Sequence, residues 1–173
     1  MKNSFDNLIL DFDGTLVNLN IDWEQLREEI SKGLERYNLL TCGSLTQDIL
    51  LLKKYDSKVL DAVYKFETCD QNPNYNLIER TLQLIQAHNS SFFIISNNHS
   101  STIKDILEKE SLLDQCMKII GIDHVNSSKP DKEAFMLIKK YLAGQNSIYI
   151  GDKLTDKMFA ENCGLNFKYV YEI

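Results

Sequence analysis

Short apolar runs in this chain end repeatedly in residues that can do chemistry. Leu8, Ile9 and Leu10 stop at Asp11 and Asp13, and Gly14 follows at once. Residues two apart in an extended chain point to the same side, so Asp11 and Asp13 present their carboxylates together around Phe12. Phe92 to Ile95 run into Ser96 and Asn97, and Ser147 to Ile150 run into Gly151 and Asp152, with Asp156 four positions on. Lys129 stands directly before Pro130. Each feature has an ordinary explanation: a turn at Asp13 and Gly14, a helix cap at Ser96 or Ser100, a surface lysine, acidic residues in a first helical turn. Together they are harder to dismiss. Asp11, Asp13, Asp152 and Asp156 converging on one edge would repel one another and also a phosphate dianion. A divalent cation resolves both problems, and a donor set of hard oxygens without Cys or His suggests Mg²⁺. Backbone N–H groups opening toward a helix N-terminus, with the Ser96 hydroxyl, suit a phosphate oxygen.

The elements that must hold these residues follow from the apolar pattern. Strands are predicted at Leu8 to Leu10, Phe92 to Ile95, Met117 to Ile120, Ser147 to Ile150 and Phe167 to Val170. Helices between them carry Ile78, Leu82 and Ile85; Ile103, Ile106 and Leu107; Phe135, Ile138 and Leu142, in a helix from Pro130 that Gly144 ends; and residues 154–163, stopped by Gly164. Alternation of this kind implies an α/β fold, a doubly wound, Rossmann-like, five-stranded parallel sheet with helices on both faces. Ligands in such sheets bind at the carboxyl ends of the strands, near the reversal of strand order, and the polar residues above fall there.

Between Asn18 and Asn74 the pattern is helical, with no convincing strand. Asp22 and Gln25 form a capping box, with Ile21 placed to staple against Leu26. Trp23, Leu26, Ile30, Leu34 and Tyr37 recur on one helical face; a second helix runs through Ile49 and Leu52, and a third carries Val59, Leu60, Val63 and Phe66 and breaks near Asn72 and Pro73. Tyr55, Lys58, Tyr64 and Lys65 are candidates for substrate contact, against the plainer reading of a solvated amphipathic face.

Composition sets limits. The 173 residues suit one compact domain or a core with a small insertion. A hydrophobic fraction of 43% with 25% charged residues is that of a globular protein. The net charge of −6 gives no general support for binding nucleic acid or an anionic membrane, so an anionic substrate must be captured locally. The four cysteines, Cys42, Cys69, Cys116 and Cys163, show no metal-ligand spacing and read as buried free thiols in a reducing compartment. No signal segment and no membrane span is evident, and a cytoplasmic location is expected.

Taken in order, the motifs resemble those of the haloacid dehalogenase (HAD) superfamily. Asp11, Phe12, Asp13, Gly14 and Thr15 match its Asp-x-Asp-Gly-Thr motif; Ser96 matches the second motif, Lys129 with Pro130 the third, and Gly151, Asp152 and Asp156 the fourth. Lys132 replaces a proline common after the third, and Lys153 a small residue common within the fourth. The resemblance implies phosphoryl transfer through a covalent aspartyl-phosphate. Asp11 would attack phosphorus, while Mg²⁺, Lys129, Ser96, Asn97 and backbone N–H groups hold its oxygens. Asp13 would protonate the leaving oxygen and then activate water. Asp11, Asp152 and the Asp13 carbonyl would hold the metal, with Asp156 orienting Lys129 or a bound water and Thr15 stabilising the turn. Dehalogenases of the superfamily lack the second Asp of the first motif, so Asp13 favours phosphorus over carbon–halogen chemistry. The helical insertion is similar to the small cap of the phosphoglycolate phosphatase and β-phosphoglucomutase branch, which divides the chain into a core (1–17 and 75–173) and a cap (18–74).

The leading expectation is a Mg²⁺-dependent phosphatase acting on a small phosphorylated metabolite. A phosphomutase needs the same core; a receiver-type phosphoacceptor module or a silent binding protein would be of another class. The paired Asp11 and Asp13, the long insertion and the Gly151-Asp152 motif stand against these last two. The sequence leaves the substrate, and the choice between monomer and homodimer, open.

Overall fold

The computed structural model describes residues 5–69, 73–88, 91–144 and 146–173. Strand β1 (Asn7–Leu10) forms the middle of a five-stranded sheet completed by β4 (Phe92–Ile95), β5 (Cys116–Ile120), β6 (Ser147–Gly151) and β7 (Asn166–Tyr169). All neighbours are parallel, in the order β5-β4-β1-β6-β7. The chain builds outward from β1 on one side and then returns to build outward on the other. The reversal of strand order therefore falls at β1, whose carboxyl end carries Asp11.

Alternation along the strands divides the core into two layers. Leu8, Leu10, Phe92, Ile94, Ile148 and Ile150 pack on one face with Ile103, Ile106 and Leu107 of α5 (Ser100–Lys109) and Ile85 of α4 (Glu79–His88). Ile9, Phe93, Ile95 and Tyr149 point the other way, against Phe135 and Ile138 of α6 (Glu133–Ile138) and Phe159 and Ala160 of α7 (Leu154–Cys163). Strands covered on both faces explain the uninterrupted apolar runs in the sequence.

Helices α1 (Trp23–Arg36), α2 (Leu45–Lys53) and α3 (Lys58–Thr68) form a cluster with its own apolar centre of Leu26, Ile30, Leu34, Ile49 and Val63. Asp22 caps α1, accepting from the Gln25 N–H. Tyr37, expected on the inner face, lies exposed just beyond the last turn. Ile122, from the loop after β5, completes this cluster and joins it to the sheet domain. Lys53 donates from α2 to the carbonyls of Asp123 and Val125, at 3.0 and 2.9 Å. The break expected near Asn72 lies outside the described residues.

Several expectations are corrected. The stretches at the two borders of the helical segment pair as a short antiparallel ladder, β2 (Val17–Leu19) with β3 (Tyr75–Leu77), a pairing the sequence pattern does not predict. Three-residue strands are too short for periodicity to register, and only tertiary pairing brings them together. Helix α6 is shorter than predicted, beginning at Glu133 with a single 3-10 turn after it. Pro130 is therefore not its first residue, and Lys129 does not stand at a helix N-terminus. Neither Ser96 nor Ser100 caps α5; His99 does, its Nδ1 accepting from the Ser101 N–H. The cysteines are free but not buried: Cys42 and Cys69 are exposed, and Cys116 and Cys163 half-buried. No described helix is long and apolar enough to cross a membrane.

Candidate active site

The carboxyl ends of β1, β4 and β6 open under the three-helix cluster into a cavity of about 540 Å³. Its floor brings together Asp11, Asp13, Ser96, Asn97, Lys129 and Asp156, from four separated stretches of chain. These are six of the eight residues singled out from the sequence. Asp152 borders Asp11 and Asp156: one carboxylate oxygen of each lies within 4.8 Å of the others. Thr15 is fully buried with no hydrogen-bond partner for its hydroxyl among the described residues; its backbone N–H donates to the Phe12 carbonyl and its carbonyl accepts from the Thr81 hydroxyl.

Lys129 is the electrostatic centre. Its Nζ donates to Asp156 Oδ1 at 2.5 Å and to the Tyr149 hydroxyl at 2.9 Å, and lies 2.9 Å from Asp11 Oδ1. The Tyr149 hydroxyl in turn donates to the Ile95 carbonyl at 2.8 Å. Burial alone would push the lysine down, but the charges of Asp11 and Asp156 hold it above its ordinary value. The neutralising anions are thus Asp11, directly after β1, and Asp156, in the first turn of α7.

Asp156 is fixed by the start of its own helix. Its Oδ2 accepts from the N–H groups of Asp152 and Lys153, at 3.2 and 3.0 Å, in the first turn of α7, where a negative charge also meets the helix dipole favourably. The close approach depends on Gly151, where a Cβ would collide with the Asp156 side chain. Gly14 is similarly constrained: its φ of +86° is left-handed, and a Cβ there would strike the Asp152 carboxylate. The glycines of both motifs therefore make room for carboxylates.

The acids are under strain of charge. Burial, then the charge of Asp156, raises Asp11 to about 6 in spite of Lys129. Burial also raises Asp13 and Asp152. Asp13 is anchored by the Leu19 N–H, which donates to its Oδ1 at 2.9 Å, so the β2–β3 ladder absent from the sequence reading holds this residue in place. Asp11 Oδ1 touches Lys129 without hydrogen-bond geometry, and Asp152 Oδ1 is buried without a partner. The unpartnered Asp152 oxygen and the Asp11 oxygen that meets only Lys129, hard donors in a cluster richer in anions than cations, fit a divalent cation of the Mg²⁺ type.

The helical segment contributes a wall of the cavity, and the four candidates named there from the sequence, against the plainer reading of a solvated face, are not part of it. Tyr55, Lys58, Tyr64 and Lys65 do not line the cavity; Tyr64 instead donates to Asp105 at 2.6 Å. The wall is made by Trp23, Leu26 and Arg27 of α1, residues 44–47 at the start of α2, and Val63 and Glu67 of α3. Glu67 and Tyr149 carried no sequence signal. Glu67 reads as one more charge on a helix, and Tyr149 as one more apolar strand residue.

Comparison with known proteins places the chain in a family and finds relatives of the same fold. A family model described as haloacid dehalogenase-like hydrolase matches residues 8–170. A phosphoglycolate phosphatase of Rhodobacter capsulatus is 25% identical over 182 aligned residues, covering 92% of this chain and 81% of that protein. Among solved structures, a candidate haloacid dehalogenase-like hydrolase from Bacteroides fragilis superimposes with a TM-score of 0.66 at 22% identity, covering 94% of this chain and 86% of that one. A HAD-superfamily hydrolase from Ehrlichia chaffeensis gives 0.60 at 18%, covering 96% and 88%.

Proposed function

The chain belongs to the haloacid dehalogenase-like hydrolases, and on that premise we propose that it is a Mg²⁺-dependent phosphatase of small phosphate monoesters, working through an aspartyl-phosphate. The observation that carries this reading is the placement of Asp11 Oδ1 2.9 Å from Lys129 Nζ on the floor of a cavity that also holds Asp13 and Ser96. A nucleophile, a buried cation, a second acid and a hydroxyl are what phosphoryl transfer requires.

Asp11, at the end of a strand locked on both sides, attacks phosphorus. Lys129 holds a phosphoryl oxygen and balances charge as it builds. Ser96 and the N–H groups of the turn after β4 hold the others. Asp13, raised by burial and fixed by Leu19, gives its proton to the leaving oxygen and takes one from the water that then cleaves the acyl phosphate. Asp11, Asp152 and the Asp13 carbonyl are the residues that would hold Mg²⁺, with Asp156 one step out because both its oxygens are engaged. When bound, the ion supplies positive charge to the transferring phosphoryl group.

Residues 18–74 act as a cap over residues 1–17 and 75–173, excluding water and selecting the leaving group. Support comes from the wall they contribute to the cavity. The substrate is a small phosphorylated metabolite, and the similarity to a phosphoglycolate phosphatase makes phosphoglycolate the first compound to try. The test is a Mg²⁺-dependence assay on phosphoglycolate, sugar phosphates, nucleotides and a generic aryl phosphate. Turnover that EDTA and Asp11→Asn both abolish is expected. A folded wild-type protein inert on the whole panel, or an Asp11→Asn variant that keeps its rate, overturns the reading.

A further inference from the structure

Glu67 stands where a carboxylate is costly. It is 2% exposed, no lysine, arginine or histidine pairs with it among the described residues, and it lies in the last turn of α3, where the helix dipole disfavours an anion. What offsets these costs is its attachment to the turn after β4. One carboxylate oxygen accepts from Asn98 Nδ2 at 3.0 Å and the other from the His99 N–H at 2.9 Å. Asn98 Oδ1 accepts from the Ser96 hydroxyl at 2.8 Å. The side chains of Glu67, Asn98 and Ser96 are all buried.

Both Glu67 oxygens accept, one from Asn98 Nδ2 and the other from the His99 N–H, so the Asn98 amide turns its NH₂ toward Glu67 and its oxygen toward Ser96. The Ser96 hydroxyl is then held to one rotamer, and the His99 N–H fixes the backbone of the same turn.

We infer that Glu67 is a positioning residue for Ser96: from the helical segment, and through Asn98 and His99, it sets the turn that receives the phosphoryl group. The inference rests on the phosphatase reading above, since it assigns Ser96 to that group. It makes the seating of α3 on the sheet domain a condition for a well-formed site, because the carboxylate reaches Asn98 only while α3 is docked. Ordering a binding group before the substrate arrives is worth a large factor in rate, and a misplacement of about 1 Å can cost on the order of a hundredfold.

The experiment is a polarity swap. Glu67→Gln sets an NH₂ against the Asn98 NH₂, so Asn98 keeps the contact only by turning its amide over, which takes its oxygen away from the Ser96 hydroxyl; Asn98→Asp sets a carboxylate against the Glu67 carboxylate. In the double variant the new amide at position 67 donates to the new carboxylate at position 98, which still accepts from Ser96. The oxygen of that amide keeps its bond from the His99 N–H, and net charge is unchanged. Two readouts, per folded molecule and with Mg²⁺ present, are turnover of the substrate found above and calorimetric binding of inorganic phosphate. Glu67→Gln is expected to lose on the order of ten- to a hundredfold in kcat/KM and to weaken phosphate binding, with the double variant recovering most of both. Should Asn98→Asp fail to fold, Glu67→Gln against the double variant still decides. Wild-type kinetics and phosphate affinity in Glu67→Gln, or a double variant no better than the single, overturns the inference. A wild-type protein that turns nothing over sinks the phosphatase reading instead, and phosphate binding then tests Glu67 by itself.

Discussion

Lys129 Nζ lies 2.5 Å from Asp156 Oδ1, with both side chains almost wholly withdrawn from solvent. The pair is the hinge of the site's electrostatics: Asp156 is pinned by the first turn of α7, Lys129 is pinned by Asp156, and Asp11 meets a cation whose position is already set.

Removing the lysine leaves two buried carboxylates face to face. Lys129→Met is expected to lower the free energy of unfolding by about 3–5 kcal/mol, measured by urea titration near neutral pH. The loss should shrink in acid, where Asp11, already raised to about 6 by burial and by Asp156, takes up a proton.

Gly151→Ala puts a methyl group where the Asp156 side chain now lies. The carboxylate must shift off Lys129 and off the N–H groups of residues 152 and 153. A loss of about 1–3 kcal/mol in stability is expected from unfolding curves, and turnover should fall by more than the folded fraction explains.

Tyr149→Phe removes a hydroxyl that accepts from Lys129 and donates to the Ile95 carbonyl, at 2.9 and 2.8 Å. The two partners stay buried with a bond missing, at a cost of about 1–3 kcal/mol in thermal or chemical unfolding. The Lys129–Asp156 contact remains, so activity should suffer less than in Gly151→Ala.

Glu67 predicts a pH dependence. Burial raises its carboxyl from 4.5 to about 7. A folded-state pKa above the unfolded one means that the folded protein holds the proton more tightly. Its contribution is therefore fully present below about pH 4.5 and is lost as pH rises through about 7. Glu67→Gln lacks this titration, so its stability relative to wild type should climb across that window, by at most about 3 kcal/mol, and level off above it. Parallel curves for the two proteins would refute the assignment.

Much of the site was legible because strand ends are where apolar runs stop. Asp11, Ser96 and Asp152 fall at one rim of a sheet on the sequence pattern alone, since parallel strands all end on the same side. The helical segment was less transparent. Amphipathic spacing finds its inner face, Leu26, Ile30 and Leu34, but says nothing about which flank turns toward the sheet. Arg27 and Glu67 were missed for that reason, and Tyr55 and Lys58, offered as candidates beside the plainer reading of a solvated face, do not line the cavity.

The sequence by itself determined the α/β alternation, the identity of the acids and the glycines beside them, because these depend on periodicity and local chain geometry over a few residues. Only the tertiary structure decided that Lys129 is neutralised by Asp11 and Asp156, that Leu19 anchors Asp13 through the β2–β3 pairing, and that Glu67 reaches Asn98. These contacts join residues distant in the chain, and hydrogen bonds and ion pairs of this kind leave no periodic trace in the sequence.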